Sequence, residues 1–410
     1  MAATLSQWVA AARLRTLPMA IAPVIVGSAA AAELGSFHLG AALLALVVSL
    51  ALQIGVNYAN DYSDGIRGTD DERVGPFRLT VSGLVPAAQV KQAAFASFGL
   101  AGLAGLGLIL LSGHWWFLLV GVACVLAAWF YTGGKRPYGY LGLGEVFVFV
   151  FFGLVAVLGT TYTQADAVSG LAWAGAIGCG LISTALLMAN NIRDIPTDRE
   201  VGKMTLAARL GDGPARASYG VMLAVALLLP LFWVAVHPGL LLVPIGGLLA
   251  IRPIRTVLRA DDRRTLIPVL RATGVIGIVY ALTFTLGGFF DRGVADLSPA
   301  KMDARAPIEA AWQHTRHLAD ELDVEVNFIV PDEPVQIEGD SRRIERVIRN
   351  LIANAVDHSE GNPVTVELTQ NDEAVAITVT DEGIGLKPGE EDLVFNRFWR
   401  ADKSRKRHSG

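Results

Sequence analysis

Residues 39–71 read LGAALLALVVSLALQIGVNYANDYSDGIRGTDD, and this stretch decides the class of protein to which the chain belongs. Residues 39–60 contain no charged side chain. A helix needs roughly 20 apolar residues to cross the hydrocarbon core of a bilayer. Four aspartates follow between residues 61 and 71. The stretch therefore predicts a transmembrane helix that carries carboxylates at one end.

Similar apolar runs recur along the first 290 residues, and they lack the polar stripe that marks an amphipathic soluble helix. We predict about nine transmembrane helices that form an all-α, multi-pass membrane bundle. The predicted segments are 17–34, 39–60, 92–111, 115–132, 143–162, 169–190, 216–236, 239–251 and 267–290.

The charge distribution predicts the orientation of this bundle. Residues 1–290 contain 19 Lys and Arg against 14 Asp and Glu, whereas residues 291–410 contain 15 against 24. All 19 positive charges fall on one side of the predicted bundle, and the positive-inside rule makes that side cytoplasmic. We therefore predict a plasma-membrane protein with a cytoplasmic N-terminus, embedded in the lipid bilayer and without a nucleic-acid partner. Nine crossings would bring residue 291 out on the opposite side.

Two groups of acids and amides lie where predicted helices meet the cytoplasmic face. Spacings of three, four and seven residues place Asn57, Asp61 and Asp64 on one face of the first helix, and Asn191, Asp194 and Asp198 on one face of the second. The first acidic cluster comprises Asn57, Asn60, Asp61 and Asp64. The second acidic cluster comprises Asn190, Asn191, Asp194 and Asp198.

Carboxylates crowded together in a partly desolvated place repel one another unless a cation neutralises them. Magnesium suits these clusters, because it takes oxygen ligands and fills the rest of its shell with water and phosphate oxygens. The sequence thus favours a diphosphate held between two helix ends through Mg²⁺. Basic side chains that could complete the charge balance are Arg67, Arg78, Arg193 and Lys203.

The patterns Asn60-Asp61-x-x-Asp64 and Asp194-x-x-x-Asp198 resemble those of the UbiA superfamily of intramembrane aromatic prenyltransferases, over about residues 8–290. Within the superfamily, the chain looks most like the polyprenyltransferases of menaquinone synthesis, which act on 1,4-dihydroxy-2-naphthoate. The motifs that carry this closer likeness are residues 60–65, 68–70, 82–84, 131–134, 142–145 and 190–211. Gly68 stands where some members carry a third aspartate.

This resemblance implies that Asp61, Asp64, Asp194 and Asp198 bind Mg²⁺ and are catalytic. It implies transfer of a polyprenyl group from polyprenyl diphosphate to the naphthoate, with loss of CO₂ and pyrophosphate, giving demethylmenaquinone. 4-Hydroxybenzoate is an alternative acceptor. A transporter is a further alternative, which would predict acids near the middle of the membrane.

The resemblance also suggests what other side chains do. Arg13, Lys135 and Arg136 would bind the carboxylate of the aromatic acid, or they are charges that only set the topology. Four phenylalanines would shelter the isoprenoid, with ordinary packing as the alternative: Phe147, Phe149, Phe151 and Phe152.

After a linker at 291–306, residues 307–410 show the alternating and amphipathic patterns that are typical of a soluble α/β fragment. Asn354 lies in a stretch that resembles the N box of a histidine-kinase ATPase domain, and Asp381-Glu-Gly383 resembles its first glycine box. Residues 395–398 resemble the phenylalanine box. A membrane sensor kinase is therefore another alternative. No second glycine box follows before Gly410, so we expect a truncated fragment that does not bind ATP, whether an engineered fusion or a joined reading frame.

Overall fold

A computed structural model describes residues 3–68, 78–294, 300–371, 374–383 and 385, with only the backbone at 289–294, 300, 342 and 343.

The chain forms two units, Met1–Val294 and Ala295–Gly410. The last helix of the first unit runs to Val294, and a strand begins at Ala300. The division between the units falls within the predicted linker at 291–306. The predicted positions Asp70, Phe395 and Phe398 lie outside the described residues.

Helices are the only regular secondary structure among the described residues of the first unit. Its main helices are α1 (Leu5–Ala11), α2 (Pro18–Glu33), α3 (Leu39–Arg67), α4 (Ala87–Ser112), α5 (Phe117–Phe130), α6 (Gly144–Val148), α7 (Ala156–Ala165), α8 (Gly170–Glu200), α9 (Leu206–Leu210), α10 (Asp212–Leu228), α11 (Leu242–Gly246), α12 (Ile251–Arg259) and α13 (Leu266–Val294).

Seven helical stretches of the described chain are long and apolar enough to cross a membrane. A pair bent by 52°, Leu5–Thr16 with Pro18–Glu33, adds an eighth. The remaining predicted segment, 115–132, corresponds to α5, an apolar helix too short to count as a span by itself. Each predicted segment thus coincides with a helix, and the count of nine is approximate. The multi-pass membrane fold is confirmed.

Helix α8 lies at the centre of the bundle, because 78% of its apolar window is buried against protein, more than in any other span of the described chain. Its side chains meet those of α10 and α13 in one apolar core, which includes Met188, Ile192, Tyr219 and Phe284. Lipid is as apolar as these side chains, so close van der Waals packing holds such helices together.

The span before α8 contains a π-helical segment, Phe149–Val155, between α6 and α7. Gly153 lies in this segment and faces α8 at very short range. A Cβ atom at Gly153 would lie 2.6 Å from the carbonyl oxygen of Ala176 and 2.6 Å from Cα of Gly180. Only a glycine allows this crossing, and the wide π turn sets which neighbouring side chains face inward.

The second unit is a small α/β assembly with its own apolar core. Strands β1 (Ala300–Asp303) and β3 (Gln336–Gly339) pair antiparallel. Strand β4 (Val364–Gln370) pairs parallel with β2 (Val326–Ile329) and antiparallel with β5 (Val375–Thr380). Helices α14 (Arg305–Leu322) and α15 (Ser341–His358) pack against each other. The predicted α/β character of this region is confirmed.

Candidate active site

The first acidic cluster lies on the last turns of α3, and all four of its side chains are buried. Both carboxylate oxygens of Asp61 accept hydrogen bonds from backbone N–H groups, that of Leu79 at 2.8 Å and that of Thr80 at 2.9 Å. Asp61 therefore fixes the chain segment that returns after α3. Arg78 immediately precedes this segment, so Asp61 also places that guanidinium.

Asp64 lies one turn further along α3 and is bound differently. Its Oδ1 accepts a hydrogen bond of 2.9 Å from the hydroxyl of Tyr140, and its Oδ2 lies 3.6 Å from Nη2 of Arg78. Asp64 and Arg78 both line the large cavity described below, whereas Asp61 is not among its lining residues.

The two amides of the first cluster connect α3 to neighbouring segments. Nδ2 of Asn57 donates to the carbonyl of Ala12 at 2.9 Å and to Oγ1 of Thr16 at 3.2 Å. Oδ1 of Asn60 accepts from Oγ1 of Thr132 at 2.8 Å. Asn57 thereby holds the bend between α1 and α2, where Arg13 adopts a left-handed backbone conformation with φ 54°.

The second acidic cluster lies near the end of α8. The guanidinium of Arg193 donates two hydrogen bonds to the carboxylate of Asp194, from Nε to Oδ1 at 2.6 Å and from Nη2 to Oδ2 at 2.7 Å. It also donates to Oδ1 of Asn190 at 2.9 Å. Nζ of Lys203 lies 3.5 Å from Oδ1 of Asp198. Each of these two basic side chains thus lies beside an acid of the second cluster.

Asn191 points to a buried acid that the sequence analysis did not select as a site residue. Its Nδ2 donates to Oε1 of Glu145 at 2.9 Å. Glu145 begins α6 and is buried. This bond fixes the amide orientation of Asn191 at the cavity wall.

Tyr140 is the residue that connects the two clusters, and the sequence analysis also missed it. It hydrogen-bonds Asp64 of the first cluster, and Nζ of Lys203, the partner of Asp198, lies 5.3 Å from its ring centroid. The guanidinium of Arg67 lies 5.4 Å from the same centroid. In the sequence, Tyr140 lies between two motifs that resemble those of the family, residues 131–134 and 142–145, and this position could have indicated a role at the site.

A cavity of about 1140 Å³ opens beside both clusters. Polar side chains gather at one part of its wall, among them Arg13, Asn57, Asn60, Asp64, Arg78, Asn190, Asn191, Arg193 and Lys203. Most of the remaining wall is aliphatic or aromatic and comes largely from α4, α5 and the span that contains the π-helix. The cavity thus joins a charged site to an apolar channel, the combination that an amphiphilic substrate requires.

Several predicted residues do not reach this cavity. Lys135 and Arg136 are exposed and are not among the lining residues, whereas Arg13 is. Phe147, Phe151 and Phe152 line the cavity, but the ring of Phe149 packs against Gly180 of α8 instead. The hypothesis that all four phenylalanines shelter one chain is therefore wrong for Phe149.

No group of three His, Cys, Asp or Glu side chains in the described part of the chain lies close enough to hold a metal ion. The donor chemistry still fits a hard cation, since the buried carboxylates and amides of both clusters offer oxygen ligands. Asp61 and Asp194 are held by bonds of 2.6 to 2.9 Å. Asp64 and Asp198 face cations at 3.6 and 3.5 Å, and Asp64 also accepts the hydrogen bond of 2.9 Å from Tyr140.

Comparison with known proteins agrees with this architecture. The model of the UbiA prenyltransferase family matches residues 20–266. A 1,4-dihydroxy-2-naphthoate octaprenyltransferase of Mycobacterium tuberculosis is 52% identical over 280 residues, which cover 68% of this chain and 96% of the relative. The apo structure of a UbiA homolog from Aeropyrum pernix K1 has a TM-score of 0.53 at 18% identity, covering 66% of this chain and 97% of that one, and shares the fold.

The second unit has different relatives. The model of the histidine kinase-, DNA gyrase B- and HSP90-like ATPases matches residues 339–410. A sensor histidine kinase MtrB of Mycolicibacterium paratuberculosis is 50% identical over 120 residues, which cover 29% of this chain and 21% of the kinase. The family match over more than half of the chain decides its assignment: the chain belongs to the UbiA prenyltransferase family.

Proposed function

We propose that this membrane prenyltransferase transfers a polyprenyl group from its diphosphate to 1,4-dihydroxy-2-naphthoate, with loss of pyrophosphate and CO₂. The observation that carries the acceptor assignment is the identity of 52% to a relative of that name, across 96% of the relative's length. The cavity supports the same reaction, because it offers a charged site for a diphosphate and an apolar channel for an isoprenoid.

Asp64 and Asp198 are the residues that would hold Mg²⁺, with Asp61 and Asp194 fixing the segments around them. The bound ion would neutralise the diphosphate and favour its departure. Arg78 and Lys203, which line the cavity, would then shift from these carboxylates to the phosphate oxygens. Fixed positive charge where the leaving group develops its negative charge lowers the barrier to ionisation.

The apolar wall has a second task in this reaction. The allylic carbocation formed on ionisation reacts rapidly with water, so the channel must keep water away until the aromatic ring attacks. Phe147, Phe151 and Phe152 lie on this wall and can contact the isoprenoid. Exclusion of water also strengthens every charge interaction at the polar end of the cavity.

Arg13 is the basic residue best placed for the carboxylate of the acceptor. It lies at the bend between α1 and α2 and lines the cavity, unlike Lys135 and Arg136. Thr16 and Gln53 lie beside it on the same wall and are linked by a hydrogen bond of 2.9 Å. These polar groups suit the ring hydroxyls of a dihydroxylated acceptor.

The active site faces the cytoplasm in this proposal. Both clusters lie at the helix ends whose loops carry the Lys and Arg residues of the first 290 positions. The positive-inside rule assigns such loops to the cytoplasm. The second unit covers about a fifth of its kinase relative (21%), and we propose no kinase activity for it.

Purified full-length protein tests the reaction in detergent with polyprenyl diphosphate, Mg²⁺ and one of two acceptors. We expect prenylated, decarboxylated product from 1,4-dihydroxy-2-naphthoate, detected by mass spectrometry, and at least about a hundredfold lower rates with 4-hydroxybenzoate. Turnover of 4-hydroxybenzoate alone would overturn the acceptor assignment. No product from either acid, with folded protein, would overturn the enzymatic proposal.

The length of the isoprenoid tests the apolar channel. Gly105 of α4 lines the cavity, and a Cβ there would meet nothing nearer than Val48 at 3.8 Å, so Gly105→Phe places its ring in open space. We expect kcat/KM to fall about tenfold or more for a long polyprenyl diphosphate but little for geranyl diphosphate.

Gly99→Phe is the matched control for this channel experiment. Gly99 lies on the same helix with open space around it, and it is not among the residues that line the cavity. We expect both donors to react as in the unmodified protein. Equal losses for long and short donors in Gly105→Phe would show that the isoprenoid lies elsewhere.

A further inference from the structure

The short helical turn Tyr138–Leu141 lies between the two acidic clusters. From this turn, the hydroxyl of Tyr140 donates to Oδ1 of Asp64 at 2.9 Å. Because this oxygen is engaged, Oδ2 is the atom of Asp64 nearest to Arg78. The tyrosine therefore sets the rotation of the Asp64 carboxylate.

The ring of the same tyrosine attracts two cations from different parts of the chain. Arg67 ends α3, and Lys203 follows α8, yet their charged groups lie 5.4 and 5.3 Å from the ring centroid. The face of an aromatic ring carries negative charge, which favours nearby cations by about 0.5–2 kcal/mol, depending on desolvation. The ring thus offsets part of the repulsion between two positive side chains, of which Lys203 lines the cavity and Arg67 donates to the carbonyls of Thr132 and Gly134.

The backbone of this turn is also tied to the segment after α8. The carbonyl of Tyr140 accepts a hydrogen bond of 3.1 Å from the N–H of Met204, the residue after Lys203. Gly142 closes the turn with φ 78°, and a Cβ there would lie 2.9 Å from the side chain of Arg209. The backbone of Tyr140 therefore contacts the segment after α8, and its side chain reaches both that segment and the end of α3.

We propose that Tyr140 is a positioning residue for the diphosphate site. Its hydroxyl orients Asp64 for the metal, and its ring holds Lys203 at the cavity wall where the departing pyrophosphate needs positive charge. This role rests on the proposed prenyl transfer and adds to it a residue that makes the two clusters act as one site. The tyrosine would act through Asp64 and Lys203 without touching the reacting atoms.

Two substitutions separate the two tasks of this side chain. Tyr140→Phe removes the hydrogen bond to Asp64 and keeps the ring, so we expect kcat to fall about tenfold with the KM for polyprenyl diphosphate nearly unchanged. Tyr140→Leu also removes the aromatic face, so the KM for polyprenyl diphosphate should rise about tenfold in addition. A merely structural role would lower the yield or the melting temperature without separating kcat from KM.

Tyr219→Phe is the matched control. The hydroxyl of Tyr219 shares a buried hydrogen bond of 2.8 Å with Thr273, and neither residue lines the cavity. The substitution removes a comparable bond within the helical core. We expect both kcat and KM to remain as in the unmodified protein.

Thermal stabilisation by Mg²⁺ with pyrophosphate gives a readout that does not depend on the acceptor. We expect the full-length protein and Tyr219→Phe to melt several degrees higher with this ligand, and Tyr140→Leu to lose most of the gain. Unchanged kcat, KM and stabilisation in both Tyr140 variants would overturn the inference. If the unmodified protein turned over neither acceptor, the proposed function would fail, and the melting shifts alone would still decide the role of Tyr140.

Discussion

Asp64→Asn should lower kcat by at least about a hundredfold while the protein still inserts and folds. The substitution keeps the shape of the side chain and removes its charge. Asp64 lines the cavity and has one oxygen near Arg78, so it is the first-cluster carboxylate best placed for a cation. Without the charge, Mg²⁺ would bind weakly and the departing pyrophosphate would lose its counter-charge. Initial rates at saturating donor, measured over a series of Mg²⁺ concentrations, test this expectation.

Asp212→Asn is the control for that experiment. Asp212 pairs with Arg216 and Arg263, each at 2.7 Å, and it is not among the cavity-lining residues. Its loss removes a comparable ion pair from the same side of the bundle. We expect a small loss of stability and an unchanged kcat. Wild-type rates in Asp64→Asn would remove this aspartate from the metal site.

Gly153→Ala should have the largest effect on stability, because the added methyl group meets backbone and not flexible side chains. Its Cβ would lie 2.6 Å from both the Ala176 carbonyl oxygen and Cα of Gly180. The π-helical segment would have to move away from α8, and overpacking of this kind costs about 1–3 kcal/mol or more. We expect a melting temperature lowered by several degrees and a loss of activity, since the same segment carries Phe151 and Phe152.

Gly220→Ala is the control for this experiment, because it adds the same methyl group at a helical position that has room for it. Gly220 lies within α10, and a Cβ there would be in ordinary contact with Ile254 at 3.5 Å. Alanine favours a helix over glycine by about 1 kcal/mol, so this variant should melt slightly higher. A melting temperature of Gly153→Ala equal to that of Gly220→Ala would contradict the close crossing.

Much of the membrane architecture could be predicted from hydropathy alone, because the bilayer demands long apolar runs and each run became a helix. The two clusters could be predicted too, since helical spacing places Asp61 and Asp64 near one edge. Their different bonding could not be predicted. It depends on the chain segment at Leu79 and Thr80, whose N–H groups reach Asp61 from a distant place in the sequence.

The contacts made by the connection before α6 and the facing of the π-helical segment could not be predicted from the sequence. Tyr140 reaches Asp64 only because the turn before α6 folds back across the end of α3. Lys135 lies in the same connection and points to solvent. Phe149 faces α8 because the π-helical turn changes the angular spacing of side chains, which a regular helical period does not anticipate.

The central position of α8 has a consequence for biogenesis. A helix surrounded mostly by protein needs little affinity for lipid, and α8 accordingly carries Ser183, Thr184, Asn190 and Asn191 along its buried length. Such a segment gains less on its own from leaving the translocon for the bilayer than the lipid-facing α3 does. We expect α8 to enter the membrane together with neighbouring helices, so that the second acidic cluster reaches its final position only as the surrounding bundle assembles.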